Sequence, residues 1–269
     1  MTLLKNVDNC STYSVRGLDN QLIAEMNVIA PGLFVRIDDL NLSLGQAVFP
    51  YLQLPAKQGL QAAINARRLK MIVNSAYRTL AAQMLLWLHW RNKRCGIKAA
   101  AIPGYSNHNN ASALDIEDSH GWKLYLHMHG WKKLGEWDDM HYDFPAGRNI
   151  VGISVLAFQR LWNRCNPSGK LAEDSEYGPK CQERLLVCPA EGFCGALVPR
   201  IMKISNPVQQ GRDIGDLQLA LRSHGCDLKS ANMIFDLPTE VAVREFQAAK
   251  GLKVDGVAGA TTQKLLGLG

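Results

Sequence analysis

The sequence predicts an α+β protein, a small mixed-sheet domain followed by short all-helical units. Two patterns carry that expectation. Helical and strand signatures interleave through the first 148 residues without the regular strand–helix–strand alternation of a parallel sheet. Beyond Gly147 the strand patterns stop, and short helices joined by turns take over. At 269 residues the chain exceeds the usual single domain. The divisions expected are 1–148 for the sheet domain, 149–198 for a helical unit and 206–269 for a last one.

Residues up to about Arg16 show no periodicity and read as a loose lead-in. Leu18 to Val28 carries apolar residues at helical spacing and stops before the breaker Ala30-Pro31-Gly32. Leu33 to Ile37 reads as a short strand, and Lys57 to Lys70 as an alanine-rich amphipathic helix. Met71 to Ala76 is short, β-branched and bounded by polar residues, as a buried strand is. Thr79 to Lys93 is again helical, with Thr79 as its N-cap and Gly96 past its end. Its Met84-to-Leu88 run faces a core. Ala113 to Glu117 is strand-like, and Ser119 to Met128 is a helix packing Trp122 and Leu126. Met140 to Phe144 alternates, so that Met140, Tyr142 and Phe144 share one face and His141 and Asp143 the other.

The helical part repeats itself. Phe158-Gln159 followed by Asp174 and Gly178, then Leu185-Leu186, is echoed by Phe246-Gln247, Asp255 and Gly259, then Leu265-Leu266. In both, an Asp and a Gly four residues apart open a short amphipathic helix, the mark of a duplicated unit. The stretch from Pro189 to Pro207 reads as a linker between them.

Composition narrows the setting. A net charge of +6 and a pI near 8.9 suit an anionic partner such as nucleic acid or bacterial cell wall. The basic clusters Arg67-Arg68, Arg91 to Arg94 and Lys132-Lys133 are short and scattered, and read as solvated surface. With no nucleic-acid recognition motif, nucleic acid is not an expected partner. The N-terminus lacks the apolar core of a Sec-type signal peptide, and no apolar run approaches the roughly 18 residues of a membrane span. The expectation is a soluble monomer made in the cytoplasm. Seven cysteines without a CxxC pair (Cys10, Cys95, Cys165, Cys181, Cys188, Cys194, Cys226) read mostly as free thiols in a reducing compartment.

Chemistry concentrates in Ser106 to Asp115 and in Asp138-Asp139-Met140-His141. His108, Asp115 and His141 offer two imidazoles and a carboxylate, the ligand types of a catalytic zinc site that keeps one position open. Asp138 can take a proton from water and pass it to a leaving amine. His108 and Asp115 are seven apart, opposite faces of a straight strand, so a turn at Asn109-Asn110 has to re-aim one of them. Other readings stay open. His127 and His129 fall at a helix end, where surface or supporting roles are expected, and His89 and His120 lack partner spacing. Glu117, Asp118 or Asp143 can each hold a ligand imidazole in its tautomer. Arg78, just past the Met71–Ala76 strand, can clamp a carboxylate or an anionic intermediate, or simply pair with an acid.

Ser106 to Asp115 resembles the S-x-H-x-x-G-x-A-x-D signature of the zinc D-alanyl-D-alanine carboxypeptidases of the VanY and VanX type. Phage L-alanoyl-D-glutamate endopeptidases are relatives of that family. Asn74 to Thr79 with Gln83 resembles its S-x-Y-R-T…Q segment, and Asp138 to His141 its E-x-x-H. The resemblance implies that His108, Asp115 and His141 bind zinc, that Asp138 is the general base, and that Arg78 stabilises the oxyanion or orients the peptide. It also implies an α+β fold and peptidoglycan stem peptides as substrates. Asp216 to Leu221, Thr239 to Gln247 and Gly251 to Gly256 resemble the peptidoglycan-binding helical module of cell-wall hydrolases, and Phe158 to Leu186 resembles a diverged copy. The joint expectation is a wall-anchored, endolysin-like peptidase that reaches the wall or periplasm by release or a non-Sec route. A catalytically degenerate wall-binding protein is the alternative.

The sequence departs from these patterns at four positions. Ala111 stands where the signature has Gly, and a positive φ there would cost about 1–2 kcal/mol unless Asn109 or Asn110 takes the turn. Asp138 is one methylene shorter than the usual Glu. Met233 and Asp236 occupy positions usually held by Gly in the binding module.

Overall fold

The computed structural model describes residues 1–135, 138–193, 201–205, 208–210 and 212–268. The chain divides into two compact units, Met1–Ile23 with Phe34–Phe193, and Ala24–Leu33 with Cys194–Gly269. Helix and sheet are mixed in the first and the described elements of the second are helical, as expected of an α+β protein with a helical C-terminal region.

In chain order the elements are α1 (Arg16–Ile29), β1 (Val35–Arg36), β2 (Leu42–Leu44), β3 (Tyr51–Leu52), α2 (Leu54–Arg67), β4 (Met71–Ser75) and α3 (Leu80–Arg91). After them come β5 (Ala113–Ile116), α4 (Ser119–Met128), β6 (Lys132–Lys133), β7 (His141–Asp143), α5 (Val151–Cys165) and α6 (Pro179–Leu186). The second unit carries α7 (Arg212–Ser223), α8 (Leu237–Ala249) and α9 (Ala260–Leu265).

The central sheet runs β2-β4-β5-β7-β6, with β2 parallel to β4 and the other pairs antiparallel. Alternation decides its two faces. Met71, Val73, Leu114, Ile116 and Tyr142 join Leu60, Ala63 and Ile64 of α2 and Trp122 and Leu126 of α4 in one buried cluster. The neighbours of those strand residues, Asp115, His141 and Asp143, are thereby committed to the opposite face. Between Val73 and Ser75 the β4–β5 register slips.

Most element positions follow the sequence reading. The expected Lys57–Lys70 helix instead spans Leu54–Arg67, because Pro55 starts it and Arg68 stops it in a left-handed conformation. Thr79 caps α3 by accepting from the N–H groups of Ala81 and Ala82.

Two expectations are corrected. The lead-in is not loose: two 3-10 turns, Leu4–Asn6 and Thr12–Val15, fully bury Leu4 and Val15. It is fastened by a Cys10–Cys95 disulfide, the exception among cysteines expected to be mostly free. Cys165, Cys181, Cys188 and Cys226 are free thiols, and Cys194 lies outside the described residues. The start of the expected Pro189–Pro207 linker is also tied down. Pro189 bridges Leu3, Ala190 N–H donates to the Thr2 carbonyl at 2.8 Å, and residues 194–200 and 206–207 lie outside the described residues.

Of the helical unit expected at 149–198, residues 149–193 fall in the first compact unit and 194–198 lie outside the described residues. The echo between the two helical stretches is physical. Gln159 Nε2 donates to Asp174 Oδ1 (2.6 Å) while its Oε1 accepts from Ser175 N–H (3.1 Å). Gln247 does the same to Asp255 Oδ1 (3.0 Å) and Gly256 N–H (2.9 Å). Gln218 forms a third copy with Asn232 Oδ1 (2.8 Å) and Met233 N–H (2.7 Å). Each time a buried glutamine holds an Asp or Asn whose successor is left-handed: Ser175 (φ 66), Gly256 (φ 72) and Met233 (φ 63). Met233 therefore occupies a turn position that favours glycine, and Asp236 caps α8 by accepting from Thr239 N–H at 3.0 Å.

Candidate metal centre

The centre is built on adjacent strands. In the β5–β7 register Asp115 sits directly opposite His141, and in β4–β5 Ser75 sits opposite Asp115. His108 arrives from a 3-10 turn, Asn107–Asn110, capped by Ser106, whose Oγ accepts from His108 N–H at 3.3 Å. The turn closes at Ala111, with φ 51 and ψ 38. Ala111 itself takes the left-handed conformation, and neither Asn109 nor Asn110 relieves it.

Three donor atoms converge. His108 Nε2 is 3.2 Å from Asp115 Oδ1 and 3.2 Å from His141 Nδ1, and His141 Nδ1 is 3.0 Å from Asp115 Oδ1. Tetrahedral ligands at about 2.0–2.1 Å from zinc stand roughly 3.3 Å from one another, so the spacing fits that ion. Among the described residues no other His, Cys, Asp or Glu group of three converges in this way.

The outer atoms fix the tautomers. His108 Nδ1 lies 2.7 Å from the Ala76 carbonyl, an acceptor only, so that nitrogen carries the proton and Nε2 turns a lone pair inward. His141 Nε2 lies 2.8 Å from Asp143 Oδ1, which leaves Nδ1 for the centre. Of the three acids expected near these imidazoles, Asp143 is the one that bonds a ring nitrogen. Asp118 pairs with Arg67 and Glu117 is exposed.

Charge follows the same logic. Burial lowers the His108 pKa, and the nearby Arg78 cation pushes it the same way. Burial alone would raise the Asp115 carboxyl, but His108, Arg78 and the imidazole hydrogen bonds outweigh it and hold the group well below the usual range. Burial also opposes a charge on His141, yet Asp115 and Asp143 raise its pKa to about 9.

Around this centre lies a cleft of about 540 Å³, lined among others by Arg78, Gln83, Tyr105, Asp138 and Met140. Arg78 donates through Nε to Ser75 Oγ (2.7 Å) and through Nη2 to Asp115 Oδ2, leaving Oδ1 to the centre. Its guanidinium thus pairs with an acid and lines the cleft at once. The half-buried Asp138 lines the same cleft, and its carbonyl accepts from His141 N–H at 3.3 Å. The structure therefore gathers all five predicted site residues at one cleft. His89 is buried elsewhere, against the Asn9 carbonyl, while His120 is exposed and His127 donates nothing to the centre, its Nε2 accepting from Lys133 N–H.

The sequence marked a turn at Asn109-Asn110 but passed over what holds it, the side-chain bonds of Asn109 and Gln53. The buried Asn109 donates to the Arg78 carbonyl (2.8 Å) and accepts from Gly104 N–H (3.0 Å). Gln53 donates to the carbonyls of Asn110 (2.6 Å) and Arg148 (2.7 Å) and accepts from Arg148 N–H (2.9 Å). A polar side chain just before the Leu54-Pro55 helix start was the available signal.

Two imidazoles and a carboxylate converge on one face of an α+β sheet, with a second carboxylate and a guanidinium lining the same cleft, the donor types that hydrolytic metal centres use. Residues 53–143 match the family model described as D-alanyl-D-alanine carboxypeptidase (VanY). Residues 210–266 match that of a putative peptidoglycan binding domain. No curated protein matches the chain. The two family matches reproduce the VanY-like and peptidoglycan-binding architecture that the motifs resemble, and support a peptidoglycan-acting, carboxypeptidase-like function.

Proposed function

We propose that the protein is a zinc-dependent peptidase that hydrolyses peptidoglycan stem peptides, as a monomer, while its C-terminal unit holds the wall. The observation that carries this reading is the convergence of His108, Asp115 and His141 on one cleft with Asp138 and Arg78. Zinc, when bound by those three side chains, supplies Lewis acidity that polarises an amide carbonyl and acidifies water. Asp138 takes the proton and returns it to the leaving amine. Arg78 supports the negative charge that develops on the carbonyl oxygen. Ser75 and Asp115 hold that guanidinium in place, and Asp143 and the Ala76 carbonyl keep both imidazoles in their ligand tautomers.

No helix among the described residues is long and apolar enough to cross a membrane. The reading places the protein at the wall, reached after release or by a non-Sec route. Asp138→Ala, loaded with zinc and incubated with purified muropeptides, is expected to lose about 100-fold or more in turnover while keeping one zinc per chain. Undiminished turnover overturns the role of Asp138. Binding to sacculi without release of amines by the unaltered protein would favour a wall-binding protein that has lost catalysis.

A further inference from the structure

The cleft does not end at the metal centre. Gln83 and Leu86 of α3 line it together with Ile97 and Ala99 to Ala101. About one helical turn further along α3, Trp90 and Arg91 begin a second, open hollow of about 650 Å³, lined also by Lys93, Arg94, Gly96, Ile97 and Lys98. Ile97 lines both spaces, so they share a wall.

The second space has a different chemistry. Four of its seven lining residues, Arg91, Lys93, Arg94 and Lys98, are cations and none is an acid. Arg91 lies over the Trp87 ring, and among the described residues none of the four pairs with a carboxylate. Cations gathered without counter-charge repel one another, and an anion seated among them relieves that repulsion. Trp90, 40% exposed, adds an aromatic face beside them.

The backbone carrying these cations is held in place. Lys93, Cys95 and Gly96 all have positive φ (54, 59 and 64), a conformation that L side chains adopt only when their surroundings impose it. Cys95 is joined to Cys10, and next to it His89 Nε2 bonds the Asn9 carbonyl at 3.0 Å. The N-terminal segment thus pins the end of α3 and the loop beyond it. A solvated run of basic residues would need neither the left-handed backbone nor the crosslink.

We propose that this basic bay is a second substrate subsite, which takes a carboxylate-bearing part of a peptide whose scissile bond lies at the metal centre. The proposal rests on the peptidase reading and adds the substrate class: an extended acidic peptide long enough to occupy both spaces, rather than a free dipeptide.

The test uses the full-length, zinc-loaded protein and two fluorescein-labelled synthetic stem peptides, one with free side carboxylates and one with all of them amidated. Binding is read by anisotropy and cleavage by KM and kcat, for the unaltered protein and for Arg94→Ala/Lys98→Ala. Both substituted side chains are exposed, so the core stays intact. The unaltered protein is expected to favour the free-carboxylate peptide about tenfold in Kd and KM, with kcat alike for the two. In the double variant that ratio falls towards one. Equal use of the two peptides by the unaltered protein overturns the bay, and so does a preference that the variant retains. Carboxylate-dependent binding with neither peptide cleaved supports the bay and removes the peptidase reading. Displacement by inorganic phosphate with both peptides bound equally overturns it in favour of a phosphate-bearing wall polymer.

Discussion

Ala111 closes the His108 turn in a left-handed conformation with its methyl fully buried. Glycine there would relieve about 1–2 kcal/mol of backbone strain. It would also give up about 0.8 kcal/mol of buried methyl and roughly 0.4–1 kcal/mol through the looser unfolded chain. The effects nearly cancel, so Ala111→Gly is expected to shift urea-unfolding stability by less than about 1 kcal/mol, and zinc affinity by less than threefold or so. A loss of affinity of about tenfold or more would show that the methyl shapes the cradle. At His141 the ion-free protein holds a proton to about pH 9, whereas the His108 pKa is lowered. Zinc binding at pH 7.5 is therefore expected to release about one proton, seen as buffer-dependent binding heat in titration calorimetry. The sign is fixed by the raised pKa: His141 stabilises the ion-free fold below its unfolded value of 6.5, and that contribution is lost as pH rises through about 9. Release of no proton would contradict the protonated His141. The residues that converge, His108, Asp115 and His141, were legible in the sequence because His and Asp at that spacing share few other arrangements. Which of the nearby acids supports them was not, since only the fold turns Asp118 to Arg67 at the start of α4 and leaves Asp143 beside His141.

Among the elements, α3 matters most for the cleft, because Arg78, Gln83 and Leu86 precede or line its face. Its cap is unusual. Thr79 Oγ1 accepts from two α3 N–H groups and donates its own hydrogen to Asp19 on α1, a buried carboxyl raised to about 7 by burial and only partly eased by Thr79 and Arg16. Between its unfolded value of 3.8 and about pH 7 the unfolded chain releases this proton more readily than the folded one, so stability falls as pH rises through that window. Asp19→Asn keeps an acceptor for Thr79 and removes the charge. It is expected to raise stability at pH 8 by about 2–4 kcal/mol and to flatten the decline between pH 4 and 7. A variant less stable than the parent at pH 8 would show that the Asp19 charge is compensated. The strands and helices near the site were legible, α4 to the residue, because each is amphipathic with a clear stop. The first fifteen residues were not: 3-10 turns leave no hydrophobic period, and the Cys10 partner lies 85 residues away, a separation that only the fold brings to bonding distance.

At the scale of the whole molecule, the two units repeat one device, a buried glutamine that grips the turn before a helix. Within the turn Gln247 donates to Asp255 Oδ1 (3.0 Å) and the Val257 carbonyl (3.0 Å) and accepts from Asp255 N–H (3.1 Å) and Gly256 N–H (2.9 Å), and it also reaches Thr262 Oγ1 (3.4 Å). Its Phe-Gln and Asp-to-Gly spacing was visible in sequence. The third copy at Gln218 was not, because Asn232 and Asp236 replace the Asp and the Gly four residues on that marked the others. Removing Gln247 leaves buried polar groups unpaired at about 1–3 kcal/mol each, so Gln247→Ala is expected to cost the second unit about 2–4 kcal/mol. The core of that unit, built on Ile214, Leu217, Val243 and Phe246, is its own, and the metal centre lies in the other unit. Cleavage of small soluble stem peptides should therefore persist near the parental rate at 25 °C. Retention on sacculi should weaken, and digestion of the insoluble wall with it, because tethering supplies local concentration rather than chemistry. Differential scanning calorimetry would show the second unit's transition moving down while a zinc-dependent transition stays in place. If soluble-peptide cleavage fell in step with wall digestion, the second unit would be part of the catalytic machinery and not an anchor.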